Sequence, residues 1–406
     1  MKRRTILSAV LCIAMVLGAG TLAFSADVIK IGVVDTYSGG GALQGIDNLN
    51  GLKMAVNEIN AKGGVLGKKL EIVTRDDKFQ PSVGLSMAKE LVLKEDVEVL
   101  VGTMSSPTAL AISDFAAKEK IPFLITGSKT EKLVGEKGNR YTFLIDESTE
   151  MVGRAVATVL AKKPYTKYWM AGDDFEFGHS LTDAVWNHIK TLNPKAQLAG
   201  QTWWKLGETD FGPYITQMMA AKPDFILIGC SGATVIAFQK AAKATGLDKT
   251  IPFYQHTAID TVILRGVGPE GPEGVVGTAH YMFYYPQTPE NKAFVQAYQK
   301  LYENKYPSQP SFYGYIAGQF LAKAFQKAGK VDKEKFVNAL EGAVLETSAV
   351  GKIEMRACDH RTMLPTYVGL TKKVPEYKDF LIGSQMVMVP AKDSAPSCDE
   401  MKKVRK

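Results

Sequence analysis

Apolar runs of strand length alternate with amphipathic helical stretches at a spacing of about thirty residues, and this alternation constrains the chain more than any other feature. Strands are expected over 29–34, 70–74, 97–101 and 121–126. Between the first two, Leu52, Ala55, Val56 and Ile59 follow the i, i+3, i+4, i+7 pattern of a helix that stops at Gly63-Gly64. Further helices are expected over 81–94, with Pro81 in the first turn, and over 109–118. Such βαβ units build a parallel sheet with right-handed crossovers. The pattern stops near 133–141 and then restarts. Strands at 167–171, 197–201, 224–229, 251–254 and 275–279 alternate with helices at 151–162, 181–192, 211–221 and 233–245. The expected fold class is therefore α/β, with two doubly wound parallel-sheet units, an arrangement that suits 406 residues. Helices over 290–304, 312–328 and 333–340 follow, then short strands over 352–355 and 366–370, and a tail from Val374.

Hydrophobic residues at 46% and charged residues at 22% match a folded globular chain and not a disordered one. The formal charge is +7, of which Lys2, Arg3 and Arg4 supply three; the remainder carries 46 basic and 42 acidic residues, or +4. Those charges are interspersed, so nothing suggests a nucleic-acid partner. Lys2-Arg3-Arg4, the apolar run over 6–24 and the small residues Ala23 and Ser25 read as a signal peptide over 1–25, cleaved near Ser25 or Ala26. The alternative is an uncleaved membrane anchor. Cys12 would leave with that segment, and Leu11 before it does not suit lipid attachment. Cys230 reads as a buried free thiol. Cys358 and Cys398, in an export context, are expected to form a disulfide, the alternative being two unpaired thiols.

In open parallel sheets ligands sit beyond the carboxyl ends of the strands. Three loops there are rich in glycine and hydroxyls: 38–45 with Gln44, 102–108 with Ser105 and Ser106, and 126–130 with Gly127, Ser128 and Lys129. Their N–H groups and the helix ends that they feed suit a carboxylate. Each hydroxyl can equally be a helix cap. Gly39-Gly40-Gly41 has neither the lysine of a phosphate loop nor the spacing of a dinucleotide site. In the second unit, the loop over 173–178 offers Phe175 and Phe177 for stacking, or as a lid on the helix start. The histidines (His179, His188, His256, His280 and His360) form no nucleophile–base set and no metal-ligand spacing. No cofactor, metal or catalytic residue is expected, and the chain reads as a non-enzyme.

At these loops the sequence resembles the periplasmic binding proteins for branched-chain amino acids that serve ABC importers. The resemblance runs from Asn50-Gly51-Leu52 through the segment over 60–70 to Asp76-Asp77, and is supported by Ser105-Ser106-Pro107-Thr108, Thr209-Asp210-Phe211, Lys222-Pro223-Asp224 and Cys358-Asp359-His360-Arg361. It implies a type I fold: two lobes, three crossovers and hinge closure on a small molecule. The implied division is a first lobe over 26–147 and 278–345, a second over 148–277 and 346–385, and a tail over 386–406. It implies further that Ser105 holds a ligand carboxylate and that Gly127 gives backbone contacts. The family's usual threonine falls on Lys129, its first-loop aromatic near Gln44, and its second-lobe tyrosine on Phe177. Its acidic partner for a ligand ammonium falls near His256 or Thr257, and neither supplies a negative charge. A buried ammonium without a carboxylate is costly, which brings aliphatic or aromatic carboxylates and amides into competition with amino acids. The expected partners are that small molecule and an ABC permease, in the periplasm. The alternative is a ligand-sensing module that passes its closed state to a membrane receptor.

Overall fold

The computed structural model describes residues 28–405, so the expected signal peptide, with Cys12, lies outside the described residues. Strands β1 (Val28–Asp35), β2 (Lys69–Asp76), β3 (Val99–Gly102), β4 (Phe123–Ile125) and β5 (Thr142–Leu144) form a parallel sheet in the order β2-β1-β3-β4-β5. Helices cover both faces, which is why β1 is mostly apolar, interrupted only by the partly exposed Lys30 before it ends at Asp35. Ile31 and Val33 join Leu52 and Phe320 in one core cluster, while Val34 joins Leu91 and Ile112 in another.

The second sheet contains β6 (Lys167–Asp173), β7 (Gln197–Trp204), β8 (Phe225–Gly229), β9 (Phe253–Gln255) and β10 (Val276–Ala279). A short antiparallel pair follows, β11 (Val344–Leu345) with β12 (Ile353–Glu354). Strands β13 (Thr366–Lys372) and β14 (Ile382–Val389) then complete the second sheet, in the order β14-β13-β10-β9-β8-β6-β7. Its last two strands are antiparallel additions at one edge. Alternate residues again face opposite cores: Trp169 and Ile226 pack with Phe238, Met170 and Leu227 with Leu181.

The chain passes between the sheets three times: after β5, after β10 and before β13. The last passage comes later than residue 346. Residues 353–354 pair with β11, and Arg361 forms a parallel bridge to Leu144 at the edge of the first sheet. The nominal tail also differs from expectation, since β14 hydrogen-bonds along β13 and begins before 386. Its exposed Val387 and Met388 break the inside–outside alternation that marks a strand in sequence.

Helices Ala42–Ala61 and Gln309–Ala328 pack so closely that a Cβ on Gly51 would lie 1.7 Å from the Ser311 carbonyl oxygen. This contact seats the later helix on the first lobe. Cys358 and Cys398 are joined by a disulfide with Cα atoms 5.9 Å apart. Cys230 is a buried free thiol. No helix among the described residues is long and apolar enough to cross a membrane.

Candidate functional site

A cleft of about 690 Å³, part of it open to solvent, lies where the carboxyl ends of both sheets face each other. From the first lobe it is lined by Gly40, Gly41 and Gln44 after β1, Phe79 after β2, Met104 after β3, and Thr126, Gly127 and Lys129 after β4. The second lobe contributes Phe175 and Phe177 after β6, Ser231 and Gly232 after β8, and His256, Thr257 and Asp260 after β9. The start of helix Gln309–Ala328 adds Gln309, Pro310 and Tyr313. Among the residues singled out in sequence, Gln44, Gly127, Lys129, Phe177, His256 and Thr257 therefore meet in one cleft. Gln44 sits on the first turn of a helix and not in a loop, because that helix starts at Ala42.

Three candidates are placed elsewhere. Ser105 is fully buried and caps helix Ser106–Glu119, its Oγ accepting from the Thr108 N–H at 3.4 Å. Ser106 is the buried first residue of that helix. Ser128 Oγ donates to the Thr103 carbonyl. None of the three lines the cleft; Met104 and Thr126 take those places on the wall. A serine before a helix satisfies that helix's own N–H groups first, and here the cap reading holds.

Beneath the lining lies an ionic cluster that sequence reading missed. Lys129 Nζ is 3.0 Å from Asp146 Oδ2 and 3.1 Å from Glu147 Oε1, and neither carboxyl is exposed. It also sits 5.0 Å from the centre of the Tyr313 ring, whose hydroxyl donates to Glu147. His256 Nε2 is 3.3 Å from Glu147 and His280 Nε2 is 3.9 Å away. Burial pushes the Asp146 carboxyl up, to about 8, with Lys129 pulling it down and Glu147 pushing it up. Burial also opposes the charge on Glu147, yet Lys129, His280 and His256 hold it well below the ordinary value. The lysine works against burial too, and the two carboxyls hold it above its usual value. Both histidines are lowered, chiefly by burial, and stay neutral. The contacts to Glu147 are therefore dipolar and not ion pairs.

An acidic group does enter the lining, three residues beyond Thr257. Asp260 Oδ1 accepts from Gln309 N at 2.8 Å and Oδ2 from Val262 N at 3.1 Å, capping helix Thr261–Val267. Burial raises it to about 6, against those two hydrogen bonds. Nothing local in the sequence marks Asp260, Asp146 or Glu147 as neighbours of the cleft, since their partners lie far along the chain. Gln44 Oε1 is buried without a hydrogen-bond partner and is available to a polar ligand atom, whereas His256 Nε2 faces Glu147 at 3.3 Å.

The lobes touch across the cleft mouth. Ala233 N donates to the Gly40 carbonyl at 3.3 Å, and the Phe79 and Phe175 rings stack. Thr130 Oγ1 donates to Glu176 Oε1 at 2.7 Å, and Lys132 Nζ pairs with Glu176 Oε2 at 2.9 Å. Among the described residues no group of three or more His, Cys, Asp or Glu is arranged to hold a metal ion. What the arrangement can do is hold a flat or apolar body between phenylalanines and fix it with a few polar groups.

A family model described as periplasmic binding protein matches residues 28–373. A leucine-, isoleucine-, valine-, threonine- and alanine-binding protein of Pseudomonas aeruginosa is 26% identical over 332 residues, covering 81% of this chain and 86% of the relative. A solved periplasmic binding protein of Burkholderia mallei superposes with a TM-score of 0.84 at 24% identity, covering 93% of this chain and 98% of that one. The solute-binding protein of an ABC transporter of Rhodopseudomonas palustris HaA2, in complex with p-hydroxybenzoic acid, gives a TM-score of 0.82 at 25% identity, covering 90% and 98%.

Proposed function

We propose that this chain, which belongs to the periplasmic binding protein family, captures a small carboxylate-, amide- or amino-acid-type ligand in the interlobe cleft and presents it to an ABC permease. The carrying observation is that both lobes line one cleft in which three phenylalanines surround a few polar groups, among them Lys129, Gln44 and His256. Phe79, Phe175 and Phe177 favour a ligand with a flat or branched apolar body. Lys129 has a third N–H beyond those that face Asp146 and Glu147, and it suits a ligand carboxylate or carbonyl oxygen. Asp260 is the one carboxyl in the lining that an amino-acid ammonium would meet. The chain is a binding protein and not an enzyme, as its family is.

Binding works by shifting the balance between open and closed lobes. The direct contacts across the mouth are few, and a partly exposed pair such as Lys132–Glu176 contributes only about 0–1 kcal/mol. A ligand touching both walls supplies the rest. The basic and apolar N-terminal segment supports export, and the proposed location is the periplasm.

A thermal-shift panel of leucine-like amino acids, benzoates, short branched acids and their amides tests the reading. A true ligand at a hundred times its dissociation constant stabilises the native state by about 2.7 kcal/mol. The expected result is a rise with at least one of these classes; no rise with any of them rejects the small-molecule reading.

A further inference from the structure

The charges around Lys129 do not balance for an anionic guest. Its ammonium already meets Asp146 and Glu147, both without exposed surface, and Asp260 adds a third carboxyl in the lining. The other groups around this cluster are His256 after β9, His280 after β10, and Tyr313 and Gln309 on the incoming helix. Neither histidine carries a charge to offset an anion. Arg265 is turned to Asp47 at 3.2 Å and does not line the cleft. A ligand carboxylate placed at Lys129 would be the third acid beside one ammonium, with Asp260 also in the lining. A buried charge without a partner is strongly unfavourable, and the usual relief is neutralisation by a proton.

We propose that the cleft admits a ligand carboxylate only when the Asp146–Glu147 pair carries one proton. The proposal rests on the carboxylate reading given above. Asp146 is the acceptor. Its Oδ2 accepts from Lys129, while its buried Oδ1 has no hydrogen-bond partner. A proton bonded to Oδ1 therefore leaves the lysine contact in place. Burial already holds this carboxyl near 8, and an arriving anion raises it further. Below about pH 8 the free protein carries the proton beforehand. Above it, the proton is taken up on binding, and affinity falls about tenfold for each pH unit. A neutral amide of the same shape brings no charge and needs no proton. An amino acid brings its own ammonium.

The test is titration calorimetry of the mature protein at about pH 8.5 in two buffers of different ionisation heat. The probes are benzoate, 4-methylpentanoate, their amides and leucine. The expected result is uptake of about one proton with a bound acid and none with an amide. An acid that binds without proton uptake overturns the proposal and leaves the carboxylate reading standing. Failure of both acids while leucine or an amide binds overturns both, and so does failure of every probe. Asp146→Asn mimics the protonated state; its affinity for the acid should stay constant between pH 7 and 9. Should that variant not fold, the two-buffer comparison on the unaltered protein decides alone.

Discussion

Phe79 of the first lobe and Phe175 of the second stack across the mouth of the cleft, with ring centroids 5.7 Å apart and planes inclined by 26°. Each ring belongs to one lobe, so the pair exists only when the lobes are together. Its stabilisation is therefore spent on closure and not on either lobe's own fold.

Phe79→Ala should weaken ligand binding by about 1 kcal/mol, roughly fivefold in Kd, with the ligand-free melting temperature little changed. Calorimetric Kd values beside a melting curve check this. A large loss of ligand-free stability instead would mean that Phe79 supports its own lobe.

Gly232 has φ +58° and approaches the opposite lobe so closely that a Cβ would lie 2.3 Å from the Gly40 carbonyl oxygen. Gly232→Ala should hold the mouth apart and lower affinity by about tenfold or more, since left-handed backbone and overlap both oppose the substitution. Small-angle scattering on ligand addition reads the outcome: the unaltered protein contracts and the variant does not.

His360 stacks on Phe143 with centroids 4.3 Å apart, and its Nδ1 lies 3.1 Å from the Thr142 carbonyl. Burial, with Arg405 nearby, lowers it to about 4, so at pH 7 the ring is neutral and its single N–H serves either the Thr142 carbonyl or Glu341, whose Oε1 lies 3.2 Å from Nε2. The unfolded chain binds this proton near pH 6.5, the folded one only near 4. The stability contributed is therefore full above 6.5 and is lost as pH falls towards 4. The gap between the unaltered protein and His360→Asn should narrow over that window by up to about 3 kcal/mol. Denaturant melts at pH 7.5, 5.5 and 4.5 measure it.

The Cys358–Cys398 disulfide closes a loop across a sequence separation of 40 and ties helix Cys398–Val404 to the segment beside β5. Reduction, or Cys398→Ser, should cost about 3–4 kcal/mol in the chain-entropy view. Hydrogen exchange should show the terminal helix losing protection first, although Glu400 still pairs with Arg154 at 2.7 Å. Unchanged protection would mean that packing alone holds the helix.

Strands such as 29–34 and 224–229 were legible because a strand buried on both faces must be largely apolar, as these are apart from Lys30 and Asp224, and helices over it must show their own period. Those are local demands, written in consecutive residues. The loops that reach the cleft were legible too, since their place follows from the strand order. What Ser105 does was not, because cap and ligand contact ask for the same residue type and only the position of the cleft wall separates them. Strand β14 was hidden for a related reason: an edge strand with one exposed face needs backbone partners more than a pattern.

By itself the sequence determined the α/β class, the two doubly wound units and the edge of the sheets at which a ligand would sit, all through patterns that short stretches must satisfy. Only the tertiary structure decided the chemistry of the cleft. Glu147 receives the hydroxyl of Tyr313 from 166 residues away, and Asp260 meets Gln309 across 49. Whether Lys129 is a free cation or a partnered one depends on those crossings, because a buried charge is set by what surrounds it in space and not by its neighbours in the chain.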